Sequence, residues 1–246
     1  MEPTTIDRSY RRDDRGKNVR RIQEWLCLHD LHVAIDGDFG PATEAAVKEF
    51  QDAQGLPVSG VVTSQAFEAL TAPMAAVLQP IAAGGKTTGA LAGAYARRHL
   101  QQRPREIGGQ NRGPWVRLYM NGHEGEAWPW CAGFVSFVLK QACATLEART
   151  PITLSFSCDS LAASAKQKGL FVAQPDAPNR GAIPPGSVFL NRRTATDWTH
   201  TGLVLETGPD VFHTIEGNTN DEGSREGYEV CARVRGYDKK DFIRID

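Results

Sequence analysis

Trp128-Pro129-Trp130-Cys131-Ala132-Gly133-Phe134-Val135-Ser136-Phe137-Val138-Leu139-Lys140 is the stretch on which the reading of the fold turns. A proline directly before an apolar run of this length predicts a helix that begins near Trp130 and is buried on most sides. Val135, Val138 and Ala142 follow Cys131 at helical steps, so the thiol shares the face that packs. A cysteine in the first turn stands at the positive end of the helix macrodipole, beside backbone N–H groups without helical partners. Both features favour the thiolate, the reactive form. Buried cysteines elsewhere behave as small inert hydrophobes, and Cys143, Cys158 and Cys231 are read that way. The five cysteines, these with Cys27 and Cys131, are odd in number and lack C-x-x-C spacing. That excludes a complete disulfide framework and a cysteine zinc finger.

A cysteine nucleophile needs a base, and the base needs an orienting partner. His200 opens the apolar run Thr201-Gly202-Leu203-Val204-Leu205-Glu206, which a Thr207-Gly208-Pro209-Asp210 turn separates from Val211-Phe212-His213-Thr214-Ile215-Glu216. An antiparallel hairpin pairing Glu206 with Val211 sets His200 against Gly217, with Glu216 as its neighbour; a one-residue change of register sets Glu216 directly opposite. Asn218 shares the face of Glu216. Either group would accept a hydrogen bond from one imidazole nitrogen and leave the other for the thiol proton. His213 points to the other side and is read as structural; His99 and His123 are expected to be exposed. Further strands are expected at Gly186–Leu190 and around Val230, Ala232 and Val234, which alternate with charged residues as a half-exposed strand. Helices first, then four strands with hairpin connections, predict an α+β domain whose antiparallel sheet carries the cysteine helix across it.

Upstream, Val19, Ile22 and Leu26 predict a helix over Asn18 to His29, with Arg20, Arg21 and Glu24 on its other faces. Ile35-Asp36-Gly37-Asp38-Phe39-Gly40-Pro41 reads as a turn leading into a second helix toward Gly55. Twenty-three residues on from Ile35-Asp36-Gly37 stands Val58-Ser59-Gly60, and Phe39 and Ala46-Val47 fall on Val62 and Ala69-Leu70. Two such units plus the opening helix make a three-helix module of about 55 residues, small enough to be marginal in stability. Asp36-Gly37-Asp38 is no calcium loop, because Val47 stands where a bidentate Glu is required. His29 and His32 are read as solvent-facing, with no third ligand spaced for zinc. The divisions expected are a charged lead-in over 1–15, the module over 16–70, a Pro/Gly/Ala-rich linker over 71–90 and a second domain over 91–246.

The whole chain has 246 residues, 41% of them hydrophobic, and a formal charge of -1, which gives no global electrostatic reason to expect nucleic acid or an anionic membrane as partner. No apolar run approaches the roughly 18 to 20 residues of a membrane span. The start, MEPTTIDRSYRRDDRGK, has no apolar run after its basic residues and is not read as a secretory signal peptide.

Two family resemblances emerge. IDGDFGPATEAAVKEFQ followed by GLPVSGVVTSQAFEAL resembles the type-one peptidoglycan-binding module. NRGPWV, WPWCAGFVSFVLK, THTGLVLE and TIEGNTNDEGSREGY resemble the CHAP family of cysteine, histidine-dependent amidohydrolases/peptidases, whose fold is papain-like. This second resemblance implies a nucleophile at Cys131, a general base at His200, and an orienting acid and amide at Glu216 and Asn218. Trp128, Trp130 and Trp198 are candidate cleft walls, or ordinary core and rim packing. Many calcium-dependent members carry acidic D-x-D loops before the cysteine; GHEGEAW lacks one, so neither a metal nor another cofactor is implied. A loose calcium-loop pattern at Asn218, Asn220, Glu222, Gly223 and Glu229 starts with Asn and overlaps the catalytic motif, and is the weaker reading.

Together the resemblances imply a peptidoglycan hydrolase that cleaves an amide bond, with bacterial peptidoglycan as partner. The alternatives are a wall-binding protein without catalysis and an acyl transferase using the same cysteine. Synthesis in the cytoplasm and action at the wall or periplasm would need another route out, for which a holin, or a secretion system with an immunity protein, are the partners expected.

Overall fold

The computed structural model describes residues 4–220 and 227–246, and the chain divides into two compact units. One comprises the residues up to Leu78 together with Arg105–Glu126; the other comprises Gln79–Pro104 and Ala127–Asp246. The helices are α1 (Lys17–Leu28), α2 (Pro41–Ala53), α3 (Ser64–Leu78), α4 (Thr88–Gln101), α5 (Pro114–Tyr119), α6 (Cys131–Thr145) and α7 (Cys158–Gln167). The strands are β1 (Phe171–Val172), β2 (Val188–Thr194), β3 (Asp197–Thr207), β4 (Val211–Thr219), β5 (Glu229–Gly236) and β6 (Lys240–Ile243). The class is α+β, with a helical first unit and, in the second, helices against an antiparallel sheet. No helix among the described residues is long and apolar enough to cross a membrane.

In the first unit the 23-residue repeat has a physical device behind it. Gly37 and Gly60 end equivalent turns with φ of +79° and +74°, a conformation that a side chain disfavours. A buried glutamine clamps each turn. Gln23 Oε1 accepts the Gly37 amide at 2.8 Å while Nε2 donates to the Asp38 carbonyl at 3.0 Å. Gln51 Oε1 accepts the Gly60 amide at 2.9 Å while Nε2 donates to the Val61 carbonyl at 2.9 Å. Phe39 and Val62, after the two turns, are fully buried.

Three expectations for this half need correction. Arg21, Gln23 and Glu24 are buried, although the periodicity put the polar residues of α1 outside. The cover comes from downstream: Trp115 of α5 packs edge-on against Trp25 with ring centroids 6.0 Å apart, and Arg117 donates to both Glu24 oxygens at 3.2 and 2.6 Å. The charged lead-in joins this half as well, Tyr10 exchanging backbone hydrogen bonds with Val62 at 3.0 and 2.8 Å. The stretch expected as linker begins inside α3, which continues to Leu78 despite Pro73, because Met74 and Val77 follow Leu70 into the core at helical steps. His29, expected in solvent, is half-buried, with Nε2 2.8 Å from the Leu70 carbonyl oxygen.

In the second unit the six strands are antiparallel throughout, in the order β1-β6-β2-β3-β4-β5. β1 and β6, too short to show a period, were not expected. Helix α6 begins at Cys131 and packs on β3, β4 and α4, burying Val135, Val138 and Ala142. A separate aromatic cluster of Phe189, Phe212, Tyr237 and Phe242 joins β2, β4 and β6. His99 is fully buried between Phe134 and Phe137, not exposed, with Nε2 2.9 Å from Gln141 Oε1. Burial holds its pKa down to about 4.

The β3–β4 register also differs from the expected one. Thr207 pairs with Phe212 and Glu206 with His213, then a bulge at Leu205 brings Val204 to Thr214 and Leu203 to Ile215. Pro209, which has no N–H to give a ladder, stays in the loop, and the Gly208 amide closes it on the Val211 carbonyl at 2.8 Å. On β5 the expected alternation holds at Glu229 and the buried Val230 but reverses after Cys231. Ala232 and Val234 are exposed while Arg233 and Arg235 lie half-buried, opposite Thr214 and Phe212.

Candidate active site

Four elements of the second unit assemble the site. Cys131 is the first residue of α6, and the Ala132 amide donates to its sulfur. His200 on β3 hydrogen-bonds the Cys131 thiol, and its Nε2 lies 2.7 Å from Oε2 of Glu216 on β4. Arg235 on β5 grips the same carboxylate in a fork, Nε to Oε1 at 2.8 Å and Nη2 to Oε2 at 2.6 Å. The Thr214 hydroxyl donates to Oε1 at 2.6 Å. Glu216 is fully buried, so these donors replace the water it has lost.

Glu216 reaches the imidazole because Gly202 leaves room. Continued from Leu203 and Ile215, the ladder sets Glu216 against Gly202, with His200 two residues along the same face. A Cβ at Gly202 would stand 2.6 Å from Glu216 Cγ and 2.8 Å from Phe189 Cε1. Any side chain there displaces the carboxylate arm.

The charges follow from these contacts. Burial raises the Glu216 carboxyl, but the hydrogen bonds from Arg235 and His200 outweigh it and bring the pKa down to about 2. Burial works against a charged His200 too, yet its bonds to Cys131 and Glu216 push it up to about 9. Hydrogen bonds from Cys158 and then His200 draw the Cys131 thiol well below its ordinary value, against burial. Both directions favour a thiolate beside an imidazolium. An ionised Glu216 can only accept, so Nε2 carries its hydrogen and Nδ1 is the nitrogen left for the sulfur.

Asn218 does not touch the imidazole partner set. It is buried in a left-handed conformation (φ +54°) where the β4–β5 pairing shifts, and its Oδ1 has no hydrogen-bond partner among the described residues. Trp130 is wholly buried, and Trp198 nearly so, its indole N–H donating to Asp241 Oδ2 at 2.8 Å. Both sit as packing residues. Trp128 is half-buried and meets the exposed Phe156 edge-on at 6.3 Å, an aromatic pair flanking the two cysteine-bearing segments. Glu222 and Gly223 of the calcium-loop pattern lie outside the described residues, and among those described no three His, Cys, Asp or Glu side chains form a metal-binding group.

Sequence reasoning passed over Arg235, Thr214, Gly202 and Cys158. For Arg235 a signal existed: a carboxylate placed inside a sheet needs a cation. Cys158, read as inert, has its sulfur 3.9 Å from that of Cys131.

Comparison with known proteins addresses the first unit. A family model described as "Putative peptidoglycan binding domain" matches residues 15–70, so the chain carries a peptidoglycan-binding domain there. Among curated proteins the chain is similar to the zinc D-Ala-D-Ala carboxypeptidase of Streptomyces albus G, 42% identical over 55 residues. That is 21% of this chain, which spans only 22% of the relative's length. Two solved structures are also similar. The SleB N-terminal domain is 28% identical, over 28% of this chain and 94% of that one, with a TM-score of 0.27. A peptidoglycan-binding protein from Clostridioides difficile, solved with glutamine hydroxamate, is 34% identical, over 27% of this chain and 41% of that one, with a TM-score of 0.26.

Proposed function

We propose that the protein is a peptidoglycan hydrolase of the CHAP type, whose first unit holds the wall and whose second cleaves an amide bond in it. The substrate bond is in the stem peptide or joins N-acetylmuramic acid to L-alanine. The observation that carries this reading is the hydrogen-bonded series Cys131, His200, Glu216, Arg235, in one chain with a peptidoglycan-binding domain. A relative named as a zinc D-Ala-D-Ala carboxypeptidase, similar over 55 residues, supports a hydrolytic setting without specifying the chemistry.

The Cys131 thiolate attacks the amide carbonyl carbon, and the oxyanion that forms faces the backbone N–H groups at the start of α6. His200 Nδ1–H gives its proton to the leaving nitrogen, the C–N bond breaks, and a thioester remains on Cys131. Water then attacks the thioester while Nδ1 takes a proton, and the thiolate departs. Through both steps Glu216 holds Nε2–H, fixing the ring and favouring its charged form; Arg235 holds Glu216.

Purified sacculi incubated with the protein test this directly. New amino groups without new reducing ends are expected, and none with Cys131→Ala. Release by Cys131→Ala at the wild-type rate would overturn the assignment.

A further inference from the structure

Cys158 occupies the first position of α7 as Cys131 occupies the first position of α6, and both thiols are buried with their sulfurs 3.9 Å apart. That distance admits an S–H···S hydrogen bond. Two thiols this close do not ionise together, because the first anion disfavours the second. Their surroundings decide which one ionises. Cys131 has the His200 ring and the Ala132 amide on its sulfur, whereas Cys158 stands beside the Asp159 carboxylate. The charged groups facing the pair are thus His200 from β3, with Glu216 and Arg235 behind it, and Asp159 from α7.

We propose that Cys158 is a positioning residue of this site: its thiol donates a hydrogen bond to the Cys131 sulfur and holds that sulfur, as thiolate, where the first turns of α6 and α7 meet. The inference rests on the reading of Cys131 as nucleophile. The Ser157 hydroxyl caps α7 by accepting the Ser160 amide at 3.3 Å, which fixes the helix start and with it the Cys158 backbone. Cys158 keeps its proton, since the neighbouring thiolate and Asp159 both push its pKa up. A second sulfur therefore supplies the donor that a water molecule or hydroxyl would supply in a wetter pocket.

Timed alkylation of the full chain with iodoacetamide, read at the Cys131 peptide by mass spectrometry across the pH range, tests the role without needing a wall substrate. Wild-type Cys131 should react with a midpoint well below that of an ordinary cysteine. Cys158→Ala and Cys158→Val, one smaller and one larger but neither a donor, should raise that midpoint by about one unit, roughly a tenfold loss of thiolate on the rising limb. Cys158→Ser, which restores a donor, should return the midpoint to near the wild-type position. Equal midpoints in all four proteins, or equal rises in all three variants, would overturn the proposal while leaving the nucleophile in place. A wild-type Cys131 no more reactive than Cys143 would instead remove the nucleophile, and this inference with it.

Discussion

Glu216 Oε2 meets His200 Nε2 at 2.7 Å by passing over Gly202, where the sheet has no side chain to obstruct it. The contact between the two side chains thus depends on a residue that has none of its own. Gly202→Ala should force a Cβ against Glu216 and Phe189 at a cost of about 1 to 3 kcal/mol. Because part of that strain is relieved by turning the carboxylate away from His200, hydrolysis should fall by about tenfold or more. A variant with wild-type rate and wild-type melting temperature would mean that the arm has another path.

Replacing Cys131 with Ala or Ser should lower sacculus hydrolysis by about a thousandfold or more, because members of a catalytic unit fail together. Sedimentation with sacculi should be unchanged, since the peptidoglycan-binding domain lies at residues 15–70. Cys143→Ala should retain hydrolysis. Loss of binding together with activity would point to a folding defect rather than to lost chemistry.

Glu216→Gln should move the basic limb of the pH–rate profile to lower pH. The proposed mechanism uses an imidazolium at His200, whose pKa of about 9 owes part of its rise to Glu216. Removing that charge makes His200 easier to deprotonate, so activity is lost earlier as pH rises. Arg235 is left without its counter-charge, which should lower stability by about 1 to 3 kcal/mol. Asn218→Ala should leave the limb where it is. The pH–rate curves of both variants decide the matter, and a basic limb that moves only with Asn218 would transfer the orienting role.

His99 should make the second unit acid-sensitive. In the unfolded chain it takes a proton near pH 6.5, but burial in the native state delays protonation to about pH 4. Between those values the unfolded state binds more protons, so stability falls as pH falls, by up to about 1.4 kcal/mol per pH unit. Denaturant melts of His99→Leu should show a flatter dependence across that window. An unchanged slope would assign the acid sensitivity to other groups.

A fragment beginning at Thr87 retains Cys131, His200, Glu216 and Arg235, yet it parts Trp115 from Trp25 and Arg117 from Glu24. Such a fragment should self-associate in sedimentation through the uncovered aromatic face, and residues 1–86 supplied as a separate chain should reverse this. A soluble, monomeric fragment would show that residues 105–126 can shelter Trp115 by themselves.

Much of this was readable from the residues. The α6 start, the two Gly-containing turns and the α+β class follow from proline placement, glycine and apolar spacing, which are local signals. What was missed is long-range. The periodicity of α1 gave no hint that its polar face would be covered, because Trp115 and Arg117 come from far along the chain. Arg233 and Arg235 read as the wet side of β5, since alternation alone does not tell which face a sheet buries when a carboxylate waits inside it. The hairpin loop sets Glu206 two residues from its expected partner, the bulge at Leu205 takes back one of the two, and β1 and β6 were too short for any period to show.

The placement of Arg105–Glu126 with the first unit bears on inheritance and biosynthesis. A wall-binding module whose cover is encoded downstream cannot be exchanged by one crossover at its C-terminal end; a recombinant joined after Leu78 would carry α1 without Trp115 and Arg117. On the ribosome the same arrangement means that Trp25 and Glu24 lack Trp115 and Arg117 until residues 105–126 have emerged. The segments of the two units thus emerge interleaved, and not one whole unit after the other.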